Sequence, residues 1–174
     1  GTSPEDTAID LVIEDGTRVG TVYFLMDEAN VARQTGLPWM AFGSDAEAQA
    51  PEGVFLLSST HPRAYGHMSR LLGKYVRAEN KATLPDAIRR LTSFPATNLG
   101  ITDRGLLKAG NYADVVVFDP ATIIDHATYE KPQQLSTGVD HVYVNGVQVL
   151  NDGKPTGKAA GRFVKGPGAG KCAS

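Results

Sequence analysis

The chain has 174 residues, of which 41% are hydrophobic, and this is enough to form one globular core. Its 17 basic and 19 acidic residues are spread without long runs and give a formal net charge of -2, so charge offers no reason to expect a nucleic acid or an anionic membrane as partner. No apolar stretch reaches the roughly 18 to 20 residues that a bilayer requires and no signal-like segment is evident, so we expect a cytoplasmic protein.

The amino-terminal part alternates predicted helices and strands. Ser3 and Pro4 are typical of a helix start, and the helix should end at Gly16. The nearly continuous apolar run 19–26 predicts a buried strand, and Asp27 can cap the short helix that follows it. A second apolar run, 39–45, predicts another strand. Two such runs around a helix are typical of a parallel sheet covered by helices.

Asp45 ends the second of these strands as a lone carboxylate among small residues. Functional side chains gather at the carboxyl ends of parallel strands, so Asp45 is a candidate site residue. A lone aspartate after a strand also commonly caps the next turn or helix. The residues alone leave both interpretations open.

A small-residue loop, 46–60, leads into a stretch that concentrates His61, Arg63 and His67. Each histidine alone could be a surface or hydrogen-bonded structural residue, but together with the loop they indicate the margin of a site. Helices should follow. Met68, Leu71, Leu72, Tyr75 and Val76 share one face of the first, and the second opens at Thr83 and turns Ala87, Ile88 and Leu91 inward.

The pattern changes to β after Asp103. Residues 113–118 predict a strand, and Asn145-Gly146 between two alternating apolar runs predicts a two-residue hairpin with a type I′ turn. The one cysteine, Cys172, lies in a Gly- and Lys-rich tail, where neither a disulfide nor a metal site is expected. No phosphate loop, zinc-ligand spacing or internal repeat is present.

Four segments together resemble the carboxyl-terminal third of the N-acyl-D-amino-acid deacylases, or D-aminoacylases, of the metal-dependent amidohydrolase superfamily. They are "GSDA" at 43–46, "HPRAYG" at 61–66, "AIRRLTSFPATNLGITDRGLLKAGNYADVVVFDP" at 87–120 and "GVDHVYVNGVQVLNDGKPTGKAAGR" at 138–162. The resemblance implies an α/β fold: strands seven and eight and the closing helices of a (β/α)8 barrel, followed by part of a small β-sandwich. We therefore expect a barrel portion at 1–104, a sandwich portion at 105–165 and a flexible tail at 166–174.

The same resemblance implies roles for individual residues. Asp45 would contact the metal or its bound water and act as general base and then general acid. Tyr23 and Met26, in "YFLM" at the end of the preceding strand, would line the substrate pocket. His61, Arg63 and His67 would lie at its margin. The expected cofactor of the complete enzyme is zinc, and the expected substrate is a small N-acyl-D-amino acid.

The family's other metal ligands lie on earlier strands that have no counterpart in this sequence. A catalytic zinc site needs about three protein ligands, so one aspartate cannot hold the ion alone. We therefore expect the isolated chain to be inactive and to self-associate through exposed strand edges. Two alternatives remain open: a non-catalytic assembly or binding module, and a cyclic-amide amidohydrolase of the dihydropyrimidinase type, which "HPRAYG" disfavours.

Overall fold

A computed structural model describes residues 1–17, 19–21 and 23–169 of the chain. The helices are α1 (Pro4–Asp15), α2 (Glu28–Thr35), α3 (Arg63–Arg70), α4 (Leu84–Leu91) and α5 (Ser93–Asn98), with a 3-10 turn at Gly53–Leu56 and a π-helical segment at Leu71–Ala78 that continues α3. The strands are β1 (Val115–Phe118), β2 (Val139–Val144), β3 (Val147–Asn151) and β4 (Lys154–Pro155). Cys172 and the end of the predicted tail lie outside the described residues. No helix among the described residues is both long and apolar enough to cross a membrane.

Three helices start where their capping residues predict. The side chains of Ser3, Asp27 and Thr83 accept hydrogen bonds from backbone N–H groups in the first turns of α1, α2 and α4. Each bond satisfies one of the N–H groups that a helix start leaves without an intrahelical partner. Gly16 ends α1 in the left-handed conformation, with φ of 70°. The sequence therefore predicted these boundaries correctly.

The continuous helical stretch formed by α3 and the π-helical segment carries the predicted inward face. Leu71, Leu72, Tyr75 and Val76 are buried, as the helical spacing predicted. Met68, placed on the same face by the sequence, is 46% exposed, so that assignment was wrong. It lies in α3, before the buried π-helical segment begins.

The four strands form one antiparallel sheet in the order β1-β2-β3-β4. At the β2–β3 turn Asn145 and Gly146 have φ angles of 51° and 80°, as the predicted type I′ turn requires. Asp152 and Gly153 repeat this geometry between β3 and β4. Among the described residues the β unit consists of this single sheet, together with an isolated bridge between Ile124 and Thr137.

The two parallel strands predicted at 19–26 and 39–45 do not form in the described part of the chain. Residues 19–21, 23–27 and 39–45 carry no strand, and Val22 lies outside the described residues. A strand exists only when its backbone groups bond to a neighbouring strand, and the described residues offer these segments no such ladder. The apolar runs recognised in the sequence are therefore present without the sheet that they predicted.

The core lies between the helices and the sheet. Leu72, Val76, Ala87 and Ile123 form its buried centre, and Phe118 and Val139 pack against it from the strands. Gly138 permits the closest approach: a β-carbon there would lie 2.4 Å from Cα of Ile123. This packing ties the turn after β1 to the helices.

Candidate functional site

A groove of about 680 Å³ opens between residues 26–43, helix α3 with its π-helical continuation, and the loop 125–130. Four of the six predicted site residues line it: Met26, His61, Arg63 and His67. The fold thus brings together side chains from two segments that the sequence had marked separately. Met26 is 86% exposed and lies in the irregular stretch before α2.

Asp45 lies beside the groove rather than in its lining, and Arg63 connects it to the groove. Its Oδ2 is 3.0 Å from Nη2 of Arg63, and its side chain is 90% exposed. Residues 46–50 form neither a helix nor a turn, so the interpretation of Asp45 as the cap of a following turn or helix is wrong. Asp45 also has a φ of 50°, an uncommon backbone conformation that short polar residues tolerate better than most. The carboxylate is therefore held by an ion pair and open to solvent.

Tyr23 is the predicted pocket residue that the structure leaves apart. It is 73% exposed and does not line the groove. Its neighbour Phe24 packs on Tyr129, with ring centroids 5.3 Å apart. Tyr129 is in turn a groove residue, so the apolar wall comes from the 125–130 loop, which the sequence had not marked.

His61 is held in one orientation by two hydrogen bonds. The backbone N–H of Arg63 donates to Nδ1 at 3.1 Å, and Nε2 lies 3.2 Å from the hydroxyl of Tyr129. Because Nδ1 accepts, Nε2 of the neutral ring carries the proton and donates it to the tyrosine oxygen. Burial, and then the positive charge of Arg63, lower the pKa of His61, so the fold favours this neutral form.

His67 faces the groove with a buried nitrogen. Its Nε2 has no hydrogen-bond partner among the described residues. Burial and the charge of Arg63 lower its pKa as well. The groove is therefore lined by an imidazole whose burial favours the neutral form and whose Nε2 is shielded from solvent.

The groove floor is fixed by contacts between α3 and the 125–130 loop. Nη1 of Arg70 lies 3.3 Å from Oδ2 of Asp125, whose side chain is only 7% exposed. A β-carbon at Gly66 would lie 2.8 Å from Cβ of Asp125, so glycine permits this close approach. Nearby, Glu28 accepts hydrogen bonds from Lys74 and Tyr75, and the bond to Lys74 is the main cause that lowers its pKa.

Arg90 is a buried residue of this region that the sequence analysis missed. It is fully buried in α4, and its Nε donates to the carbonyl oxygen of Met40 at 2.7 Å. Its Nη1 donates to the carbonyl of Thr35 at 2.6 Å, and its guanidinium lies 4.2 Å from the ring centroid of Phe42. Arg90 follows Ala87 by three residues and so shares its inward face, which is the signal that could have identified it.

The described residues do not make up a zinc site. They contain no group of three or more His, Cys, Asp or Glu side chains placed to hold a metal ion. Asp45 is a single carboxylate paired with an arginine. A structural or catalytic zinc takes three or four protein ligands, so this part of the chain does not fit the ion by itself.

Comparison with known proteins places the chain in a family. Residues 26–150 match the sequence profile of the amidohydrolase family, and the chain belongs to that family. It is 38% identical over 153 residues to a D-aminoacylase from Alcaligenes xylosoxydans xylosoxydans, a match that covers 88% of this chain and 30% of the relative.

Solved structures of similar deacylases support the same family assignment. A D-aminoacylase with a binuclear metal center superposes with a TM-score of 0.77 at 36% identity, covering 93% of this chain and 34% of that one. An N-acyl-D-glutamate deacylase from Bordetella bronchiseptica, complexed with zinc and a phosphonate inhibitor, gives a TM-score of 0.68 at 37% identity, with 84% of this chain and 32% of that one covered. The chain thus spans about a third of the length of the relatives that it matches.

Proposed function

We propose that this chain is the carboxyl-terminal portion of a zinc-dependent N-acyl-D-amino-acid deacylase. The observation that carries the proposal is the pairing of Asp45, from "GSDA", with Arg63, from "HPRAYG", at the edge of the groove. These are the two motifs that distinguish the D-aminoacylase branch in the sequence. Similarity to a D-aminoacylase over 88% of the chain supports the same assignment.

The proposed reaction is hydrolysis of the amide bond of an N-acyl-D-amino acid. Asp45 takes a proton from the attacking water while the water oxygen bonds to the amide carbon. The carbon–nitrogen bond then breaks, and Asp45 returns the proton to the leaving nitrogen. The products are a carboxylic acid and a free D-amino acid. An exposed carboxylate on a short side chain can serve both proton transfers without a change of position.

The proposed pocket consists of Tyr23, Met26, His61, Arg63 and His67. In the assembled barrel we place 19–26 and 39–45 as the seventh and eighth strands, whose carboxyl ends would bring Tyr23 and Met26 toward Asp45. Met26 supplies a flexible apolar wall that suits a linear, apolar side chain on the substrate. The ion pair between Arg63 and Asp45 supports placing the proposed acid–base group and the proposed pocket in one site.

Zinc belongs to the complete enzyme in this proposal, and its ligands come from polypeptide outside the described residues. When bound, zinc lowers the pKa of a bound water toward about 7 and polarises the amide carbonyl. Among the described residues Asp45 is one candidate carboxylate, and no three His, Cys, Asp or Glu side chains are placed to hold a metal ion. We therefore propose that the 174-residue chain alone is inactive.

A second candidate function is a non-catalytic assembly module. Phe24, Leu25 and Met26 are 79%, 81% and 86% exposed, which is unusual for consecutive large apolar side chains. Such a surface favours association, either with the remainder of a barrel or with a second copy of the chain. The two functions differ in whether completing the barrel restores turnover.

The test is a chimera that joins residues 1–174 to the amino-terminal remainder of the Alcaligenes D-aminoacylase. We expect the purified chimera to bind zinc and to release amine from N-acetyl-D-methionine but not from the L enantiomer. The isolated chain should do neither, and sedimentation should show whether it associates. A folded, zinc-loaded chimera without turnover would contradict the proposed function and favour the assembly module.

A further inference from the structure

We infer that Arg90 is a positioning residue that holds the segment leading to Asp45. The inference rests on the proposed function in one respect: it takes Asp45 as the residue that transfers the protons. The contacts of Arg90 are with the backbone and ring of residues 35–42, called here the approach segment, and Asp45 follows this segment by three residues.

The approach segment has no ladder to hold it. After α2 ends at Thr35, residues 36–42 contain turns and irregular backbone but no strand. The bond to the carbonyl of Thr35 is buried and the bond to that of Met40 is partly buried, and a buried carbonyl oxygen without a partner costs free energy. Arg90 donates to the carbonyls of Thr35 and Met40, and its neighbour Arg89 donates to that of Pro38 at 2.8 Å.

The geometry specifies arginine rather than any cation. One planar guanidinium bonds two carbonyls that are five residues apart in sequence and also lies over the ring of Phe42. The ammonium of lysine is a single point charge on a flexible stem and cannot fix these three points together. Arg90 therefore acts as a clamp between α4 and the approach segment.

Within its own helix the clamp shares one carboxylate, that of Asp86, with Arg89. Oδ2 of Asp86 lies 3.5 Å from Nη1 of Arg90, one helical turn away. The C-terminal end of α2, where Thr35 lies, also favours a cation because its carbonyls point outward. Burying an arginine costs desolvation free energy that such partners do not fully offset. A role in positioning the approach segment would account for its presence.

The first experiment needs no activity and uses the 174-residue chain. In Arg90→Met we expect backbone amides of 36–45 to exchange with deuterium at least tenfold faster, while β2 and β3 keep their protection. Val76→Ala is the matched control, because Val76 belongs to the buried cluster around Ile123 and lies outside the approach segment. A uniform change along the chain in Arg90→Met, equal to that of Val76→Ala, would overturn the inference.

The second experiment uses the chimera, once native Arg90 is shown to give turnover. Arg90→Met should lower kcat at least tenfold with KM changed less than threefold, since the clamp affects the placement of Asp45 rather than substrate binding. Arg90→Lys should recover only part of kcat, and Val76→Ala should stay within about twofold. A folded, zinc-loaded parent chimera without turnover would refute the proposed function but leave the exchange result standing. An Arg90→Met chimera with native kcat would overturn the positioning role.

Discussion

Nη2 of Arg63 lies 3.0 Å from Oδ2 of Asp45, so the first turn of α3 is joined to the residue that ends the second apolar run. Residues 46–62 separate the two in sequence. The side chain of Asp45 is 90% exposed and that of Arg63 is 43% exposed, so water reaches both charges. The contact is therefore an ion pair that orders the site margin and can be broken by a ligand at little cost.

This exposure predicts a small contribution to stability. Exposed ion pairs are worth about 0.2 to 1 kcal/mol because water screens the charges and both side chains lose freedom. A double-mutant cycle with Asp45→Asn and Arg63→Gln, followed by urea unfolding of the 174-residue chain, should give a coupling energy in that range. A coupling above about 2 kcal/mol would mean that the pair is better shielded than its exposure indicates.

Asp45→Asn should have a much larger effect on turnover than on folding. In the chimera we expect kcat to fall by about 10² to 10⁴, the usual contribution of a positioned general acid–base group. Zinc content, measured by atomic absorption, should stay nearly unchanged, because the asparagine keeps the shape of the side chain. Glu47→Gln is the matched control, since Glu47 is an exposed acid two residues away whose carboxylate bonds only the nearby Gln49 among the described residues. Native kcat in Asp45→Asn would exclude it as the acid–base group.

Local sequence signals predicted the local structure well. The caps at Ser3, Asp27 and Thr83 and the Asn145-Gly146 turn depend on neighbouring residues alone, and all four are present. The strands at 19–26 and 39–45 were predicted from apolar runs, but a strand also requires a partner strand, which the local sequence does not report. Their absence from the described residues follows from that missing partner.

The site could be predicted only in part for a similar reason. "HPRAYGH" marked three groove residues because they are close in sequence, and Met26 joined them through the fold. The spacing from Ala87 could have placed Arg90 on the inward face of its helix, but not its partners, which are backbone carbonyls 50 and 55 residues away. Backbone acceptors are the same in every residue, so no sequence pattern distinguishes the ones that a buried arginine will bind.

Gly138→Ala should destabilise the protein more than Gly146→Ala. Both glycines have positive φ, 88° and 80°, so each substitution costs about 1 to 2 kcal/mol of backbone strain. Only at Gly138 would the new carbon also lie 2.4 Å from Ile123, whereas nothing lies within 4 Å at Gly146. Overpacking adds about 1 to 3 kcal/mol, and urea unfolding of both variants should show this difference. Equal losses would mean that the turn holding Ile123 can move aside.

Acidification from pH 6.5 down to the lowered pKa values of His61 and His67 should destabilise the protein. Burial, followed by the charge of Arg63, lowers the pKa of both imidazoles below the ordinary value of 6.5. The unfolded chain then binds more protons than the native one in this window, so stability is fully present above pH 6.5 and is lost as the pH falls toward the lowered values. The lowered pKa of Glu28 acts below its ordinary value of 4.5, outside the window. Thermal unfolding should show a falling Tm in the native chain and a flatter profile in His61→Asn with His67→Gln; an unchanged slope in the double variant would assign the pH dependence to other groups.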